Sequence, residues 1–193
     1  MDYQAIIDKY YPADDELRRV LLLHSRQVAD RCLQIVRKHK ELPVDAQFLE
    51  EAAMLHDIGI YQCDAPSIHC HGTEPYIKHG PIGGDLLRGE GFPRHARVAE
   101  RHTGTGLPGF EPETLEEQIV CYADKFYSKS KPDHVRTVTE AAQSLEKFGH
   151  EGVLKFLSWA SSQCHVADTH LISGQTESVS SIILLTFGQC EGC

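Results

Sequence analysis

Six positions limit what this chain can fold into more than any other feature: His24, the adjacent pair His56-Asp57, His79, His102 and Asp124. The steps from His24 to His56, Asp57 to His79, His79 to His102 and His102 to Asp124 are 32, 22, 23 and 22 residues. Each of the six falls in a segment patterned as a helix, so five separate elements can each present nitrogen or oxygen donors to one centre. An adjacent His and Asp can both reach a single cation. Asp57 also keeps a second carboxylate oxygen with which to bridge to another.

The hydropathy pattern supplies the helices. A short amphipathic helix is predicted over residues 2–10, ended by Tyr11-Pro12. Asp14 or Asp15 caps a second helix that runs to about His39 with Glu16 in its first turn. Its apolar stripe, Leu17, Val20, Leu21, His24, Val28, Cys32 and Ile35, keeps helical spacing and places His24 on the buried face. A third helix starts near Asp45 and carries Phe48, Leu49, Ala52, Ala53, Leu55 and His56. Gly59 ends it, which puts the His-Asp pair on its last turn. Further helices are predicted over 79–90, 94–103, 113–130, 134–148 and 150–161, with Gly89, Gly91-Phe92-Pro93 and the Gly/Pro-rich stretch 104–112 separating the first three. Residues 60–78 show no periodicity, and a stretch of that length is expected to be a functional loop. One domain is expected over 1–161, followed by a C-terminal extension, 162–193, in which Ser178–Phe187 reads as a strand or packed extension.

Composition narrows the surroundings. No apolar run approaches the roughly 20 residues that span a bilayer, and the first residues lack the basic start and apolar stretch of a secretory signal, so a cytoplasmic protein with no membrane partner is expected. Seven Cys in no regular framework are expected to be free thiols. A net charge of −9 disfavours duplex nucleic acid as a partner, while a small anionic substrate can still be held where local cations outvote the whole.

Imidazole and carboxylate donors without thiolate suit borderline and hard divalent ions such as Fe, Mn, Co, Ni, Zn or Mg and argue against a structural zinc cluster. Cys63, His69, Cys70 and His71 crowd one loop, but Cys-x5-His-Cys-His fits no standard zinc finger, and a substrate-covering loop is the better expectation. The closing Cys190 and Cys193 lack the setting of a redox motif. Lys125 and Lys129, four apart, are expected to share a helix face near Asp124. Arg26, Arg97 and Arg101 flank ligand positions, and His95 reads as a surface residue. Lys125 and Arg101 are the preferred cations for holding a phosphate.

In this order the six positions resemble the HD superfamily of helical metal-dependent phosphohydrolases, named for its His-Asp pair. The first-ligand helix is similar in Arg19-x4-His24-Ser25-x2-Val28-Ala29, and the pair stands in Ala52-Ala53-Met54-Leu55-His56-Asp57-Ile58-Gly59. Lys78-His79-Gly80-Pro81-x-Gly83, His102-Thr103-Gly104 and Tyr122-Ala123-Asp124-Lys125 resemble motifs of the YqeK-like branch, which hydrolyses symmetric dinucleoside tetraphosphates. The likeness spans about residues 15–130. It implies an all-α HD-type bundle around a buried dinuclear site. One divalent ion would take His24, His56, Asp57 and Asp124. The second would take His79 and His102 and share Asp57 as the bridge. Metal-activated water would then hydrolyse a small phosphate ester, a nucleotide by preference, with Asp57, Lys125 and Arg101 as the catalytic side chains. HD-type mixed-valent diiron oxygenases that cleave C–C or C–P bonds share the ligand pattern, and a non-catalytic metal- or nucleotide-binding module would keep it too. After Asp124 the chain reads Phe126-Tyr127-Ser128-Lys129-Ser130-Lys131, where the YqeK-like branch has an acidic-Pro-x-Arg stretch, so the substrate stays open.

Overall fold

Three aspartates start the first three helices. The side chains of Asp2, Asp15 and Asp45 accept the backbone N–H of Ala5, Arg18 and Phe48, each three residues on, and so satisfy donors that a helix start leaves unpaired. They open α1 (Tyr3–Tyr10), α2 (Glu16–Lys38) and α3 (Ala46–Leu55). The computed structural model describes residues 1–104 and 108–163, which divide into two compact units, Met1–Val135 and the residues from Arg136 onward. The expected strand at Ser178–Phe187, the extension 162–193 beyond Gln163, and the terminal Cys pair lie outside the described residues.

Within the first unit, α3 is the axis. Phe48, Leu49, Glu51 and all of Ala52–Leu55 are buried, and the helix packs against α1, α2, α5 (Pro93–Arg101) and α6 (Leu115–Asp124). On α2 the buried face includes Leu21, His24, Val28, Cys32 and Ile35, part of the stripe anticipated from spacing. α4 (His79–Gly89) packs along α5, whose first helical residue, Pro93, supplies a preset φ where no N–H is needed. A reciprocal capping box of Thr114 and Glu117 opens α6. Leu21, Leu49, Leu55, Ile58, Ile60, Leu87, Ile119 and Phe126 fill the interior with almost no exposed surface. Each such side chain contributes on the order of 1.5–3 kcal/mol, an upper figure because the unfolded chain already buries part of it.

Several boundaries differ from the sequence expectation, each for a local reason. α3 ends at Leu55, one turn early, because its bonds tighten to three-residue turns: Ile58 N–H donates to Leu55 O and Ile60 N–H to Asp57 O. His56 and Asp57 therefore sit on a turn at the end of the helix. α6 stops at Asp124 in the same way, with Lys125, Phe126 and Tyr127 donating three residues back, so that Phe126 drops into the core. The aperiodic stretch 60–78 is not simply a loop. It folds into short 3-10 turns and a small sheet of order β2-β1-β3, with β1 (Cys63–Ala65) antiparallel to β2 (Cys70–His71) and parallel to β3 (Glu74–Pro75). Strands of two or three residues are too short to leave an alternating pattern. In the second unit, α7 (Val138–Leu145) begins at a Thr137–Glu140 capping box, not at residue 134, and packs on α8 (His150–Gln163).

Two glycines permit the close approach that brings α4 to the centre. A Cβ on Gly59 would lie 2.3 Å from His79 O and 2.6 Å from Gly83 N, and one on Gly80 would lie 2.8 Å from Ala99 O. These are backbone atoms that cannot swing aside. The Tyr11 hydroxyl locks the same turn from outside, donating to Ile58 O and accepting from Tyr61 N–H. Gly59→Ala is therefore expected to lose about 1–3 kcal/mol of stability in urea unfolding. A variant as stable as the wild type would contradict this packing.

Candidate metal centre

Helix ends deliver most of the centre. His24 comes from the middle of α2, His56 and Asp57 from the turn after α3, His79 from the first residue of α4, His102 from the cap of α5 and Asp124 from the last residue of α6. The structure brings all six together. Their donor atoms fall into two groups, His24, His56, Asp57 and Asp124, and Asp57, His79 and His102, with the atoms of each group within 4.8 Å of one another. Asp57 belongs to both. Its Oδ2 faces His24 Nε2 at 3.2 Å and His56 Nε2 at 3.0 Å, while its Oδ1 faces His79 Nε2 at 3.2 Å and His102 Nε2 at 3.4 Å. Asp124 Oδ1 closes the first group, 3.0 Å from His24 Nε2 and 3.6 Å from His56 Nε2.

The second nitrogen of three imidazoles fixes what the first can do. Nδ1 of His56 lies 2.6 Å from Ala53 O, that of His79 lies 2.5 Å from Tyr76 O, and that of His102 lies 2.7 Å from Ala99 O. A carbonyl oxygen only accepts, so each Nδ1 carries a proton and, in the neutral ring, each Nε2 turns a lone pair toward the centre. His79 Nε2 and His102 Nε2 stand 2.9 Å apart. Two lone pairs at that separation repel unless a proton or a metal cation lies between them. Both oxygens of the fully buried Asp57 and Nε2 of His56 also lack a hydrogen bond of good geometry. Six borderline and hard donors, with orphaned acceptors in a buried pocket, fit divalent metal.

Electrostatics agree. Burial pushes the Asp57 carboxyl up, but His56 and Lys129 outweigh it and hold Asp57 well below the usual carboxylate range. Burial likewise opposes Lys125, His24 and His56 at Asp124, and loses. For His56, burial lowers the pKa while Asp57 and Asp124 raise it to about 9. Burial, against the pull of Asp57, drops His102 to about 3. Without metal, His56 thus keeps a second proton and is cationic, while His102 is a neutral ring protonated at Nδ1 alone.

The cations around the centre are arranged differently from the sequence expectation. Because α6 ends early, Lys129 does not share a helix face with Lys125. It sits in the connection that follows, and its Nζ reaches Asp57 Oδ2 at 2.5 Å. Lys125 Nζ donates to Asp124 Oδ2 and to His102 O, both at 2.9 Å, bracing the ends of α5 and α6. Arg101 is not among the side chains gathered here. Its guanidinium donates to Glu111 O and Glu113 Oε1 in the stretch leading into α6. Arg97 pairs with Glu113 and Glu117, and Arg26 with Glu50. His95, expected at the surface, is buried on the inner face of α5 against Phe48 and 3.2 Å from Glu51. Among the described residues, Cys63, His69, Cys70 and His71 form no ligand group; the two thiols are buried and point to backbone carbonyls. Tyr76, which carried no sequence signal, stacks on His79 at 4.6 Å and 26°.

A helical bundle whose helix ends converge on a buried His/Asp cluster defines a metal-dependent class, and comparison places the chain within it. Residues 21–128 match the HD domain, and the chain belongs to this family of the metal-dependent phosphohydrolase superfamily. It is 32% identical to an uncharacterized protein of Methanocaldococcus jannaschii, over 70% of this chain and 86% of that protein. It is also similar to two proteins named tRNA (cytidine(56)-2'-O)-methyltransferase. The one from Thermoplasma volcanium is 30% identical over 61% of this chain, and the one from Picrophilus torridus 28% over 64%. The likeness spans 38% of the length of each methyltransferase. No solved structure matches. No helix among the described residues is long and apolar enough to cross a membrane.

Metal must displace the His56 proton. Binding of Mn(II) to metal-stripped protein at pH 7 is expected to release about one proton, with affinity rising about tenfold per pH unit and flattening near pH 9. Calorimetry in two buffers of different ionisation enthalpy measures both. An affinity flat from pH 6 to 9 would contradict the assigned protonation.

Proposed function

We propose that this protein is a hydrolase of a small phosphate ester, most readily a nucleotide, working with two divalent ions. His24, His56, Asp57 and Asp124 would hold one ion, and Asp57, His79 and His102 the other. The observation that carries this reading is Asp57, whose two oxygens face two separate sets of imidazole nitrogens. A carboxylate so placed suits two cations better than one. When bound, such a pair supplies Lewis acidity and lowers the pKa of water toward neutrality.

The chain's own residues do the rest. The three Nδ1–H donors fix the imidazole rings before any ligand arrives, so no rotamer has to be found during binding. Lys125 holds Asp124 in place through Oδ2 and ties it to the end of α5. Lys125 and Lys129 give the centre local positive charge in a chain of net charge −9, which favours a small anion over a polyanion such as tRNA. With its guanidinium taken up by the stretch before α6, Arg101 acts as a brace for that connection, leaving the phosphate to the lysines and the metal.

The name of the two methyltransferases does not transfer. Most of each lies outside the likeness, and a His/Asp centre is suited to activating water. Membership of the HD family and the His-Gly-Pro and His-Thr-Gly motifs support a nucleotide substrate.

Under strict anaerobiosis, the Mn(II)-loaded protein is expected to release phosphate or a nucleotide from a panel of nucleotides and simple phosphate esters. Turnover that needs iron and air, with oxygen uptake matching product, would replace hydrolysis with oxidative cleavage. Asp57→Asn is expected to lose metal and turnover together, because an amide bridges poorly. His79→Ala should retain about one ion per chain. A full pair in either variant would overturn the partition.

A further inference from the structure

Lys129, one of the two lysines that give the centre its positive charge, stands on a metal-ligating carboxylate and not on open space for a phosphate. Its Nζ sits 2.5 Å from Asp57 Oδ2, the same oxygen that faces His24 and His56. A dication placed on that oxygen would share it with the ammonium, and the repulsion between the two cations would weaken the hold of each. Loading of the centre therefore favours departure of Lys129 from Asp57.

Exposure marks the way out. The side chains of Asp57 and His56 are 0% exposed and those of His102 and His24 1% and 2%, whereas Asp124, Lys125 and Lys129 reach 15%, 13% and 11%. Solvent, and any substrate, meets the centre on the side of the two lysines. Lys125 is tied there to a backbone carbonyl and to Asp124. The segment that carries Lys129 is held at both ends. Tyr127 N–H donates to Asp124 O at one end, and Gln27 Nε2 donates to Pro132 O at the other. Movement then falls to the flexible four-carbon side chain, not to the backbone. The Tyr76 ring, stacked on His79, lies 6.0 Å from Nζ and offers a face along which the ammonium can slide.

We propose that Lys129 is an exchangeable counter-ion: metal binding displaces its ammonium from Asp57, and the freed ammonium then holds a nonbridging oxygen of the substrate's phosphate at the mouth of the centre. The exchange links the two binding events, because metal at Asp57 is what makes the cation available to the anion. It rests on the hydrolase reading, which supplies the phosphate.

The test uses the full chain, stripped of metal, with Mn(II) and inorganic phosphate as probes. Lys129→Gln is expected to bind Mn(II) about tenfold more tightly, since no ammonium competes for Asp57. Once loaded, it should bind phosphate about tenfold more weakly than the wild type, through loss of one charge-assisted hydrogen bond. A second measurement needs no variant. Reductive methylation of the wild type, followed by peptide mass spectrometry, should label Lys129 faster after Mn(II) is added and slowly again when phosphate follows. Unchanged or weaker Mn(II) affinity in Lys129→Gln, unchanged phosphate affinity, or no rise in labelling with Mn(II) would each overturn the exchange. A wild-type chain that takes up no Mn(II) would instead defeat the metal reading itself.

Discussion

The contact on which the rest depends is the 2.9 Å approach of His79 Nε2 to His102 Nε2 beside the buried carboxylate of Asp57. Each imidazole spends its Nδ1 proton on the carbonyl three residues earlier, so the two rings turn lone pairs toward one another. An apolar pair in that place would pack without penalty. Two acceptors and a carboxylate do not, because their repulsion is strong in a low-dielectric interior. The surrounding packing holds this unfavourable arrangement fixed, as it must in a site built to be completed by a cation.

How the packing does so follows from where the helices stop. Five of the six residues stand at or just beyond a helix end, and α3 and α6 both finish in three-residue turns that bend the chain toward the centre. Gly59 and Gly80 let backbone meet backbone at distances a side chain would forbid. Tyr11 pins the turn after Asp57 from the far side. Backbone packing and hydrogen bonds thus surround the six residues, while Lys129 reaches Asp57 from the end of a long side chain.

Most of the helical frame was legible in the sequence because amphipathic helices leave a long periodic signal. Asp15, Asp45 and the stripe from Leu21 to Ile35 behave as their pattern implies. The six-residue centre was legible for a different reason: ordered spacing of chemically scarce residues. What the sequence hid depends on short or tertiary effects. The sheet of 63–75 is too brief to alternate, and the early end of α6 lies in three-residue turns that carry Phe126 into the core. That same early end sends Lys129 to Asp57 and leaves Lys125 as a brace. The partners of Arg101 were not legible, because nearness in sequence to His102 says nothing of the acidic stretch, Glu111 to Glu117, that engages its guanidinium. His95 has the sequence neighbours of a surface residue, yet Phe48 and Glu51 on α3 cover it.

Whether two metal ions share Asp57 decides how the centre works. Electron paramagnetic resonance of the Mn(II)-saturated protein tests this directly, because a bridging carboxylate couples the spins of the ions it joins. Two Mn(II) per chain and the broadened spectrum of an exchange-coupled pair are expected. An isolated six-line Mn(II) signal with one ion per chain at saturation would contradict that sharing.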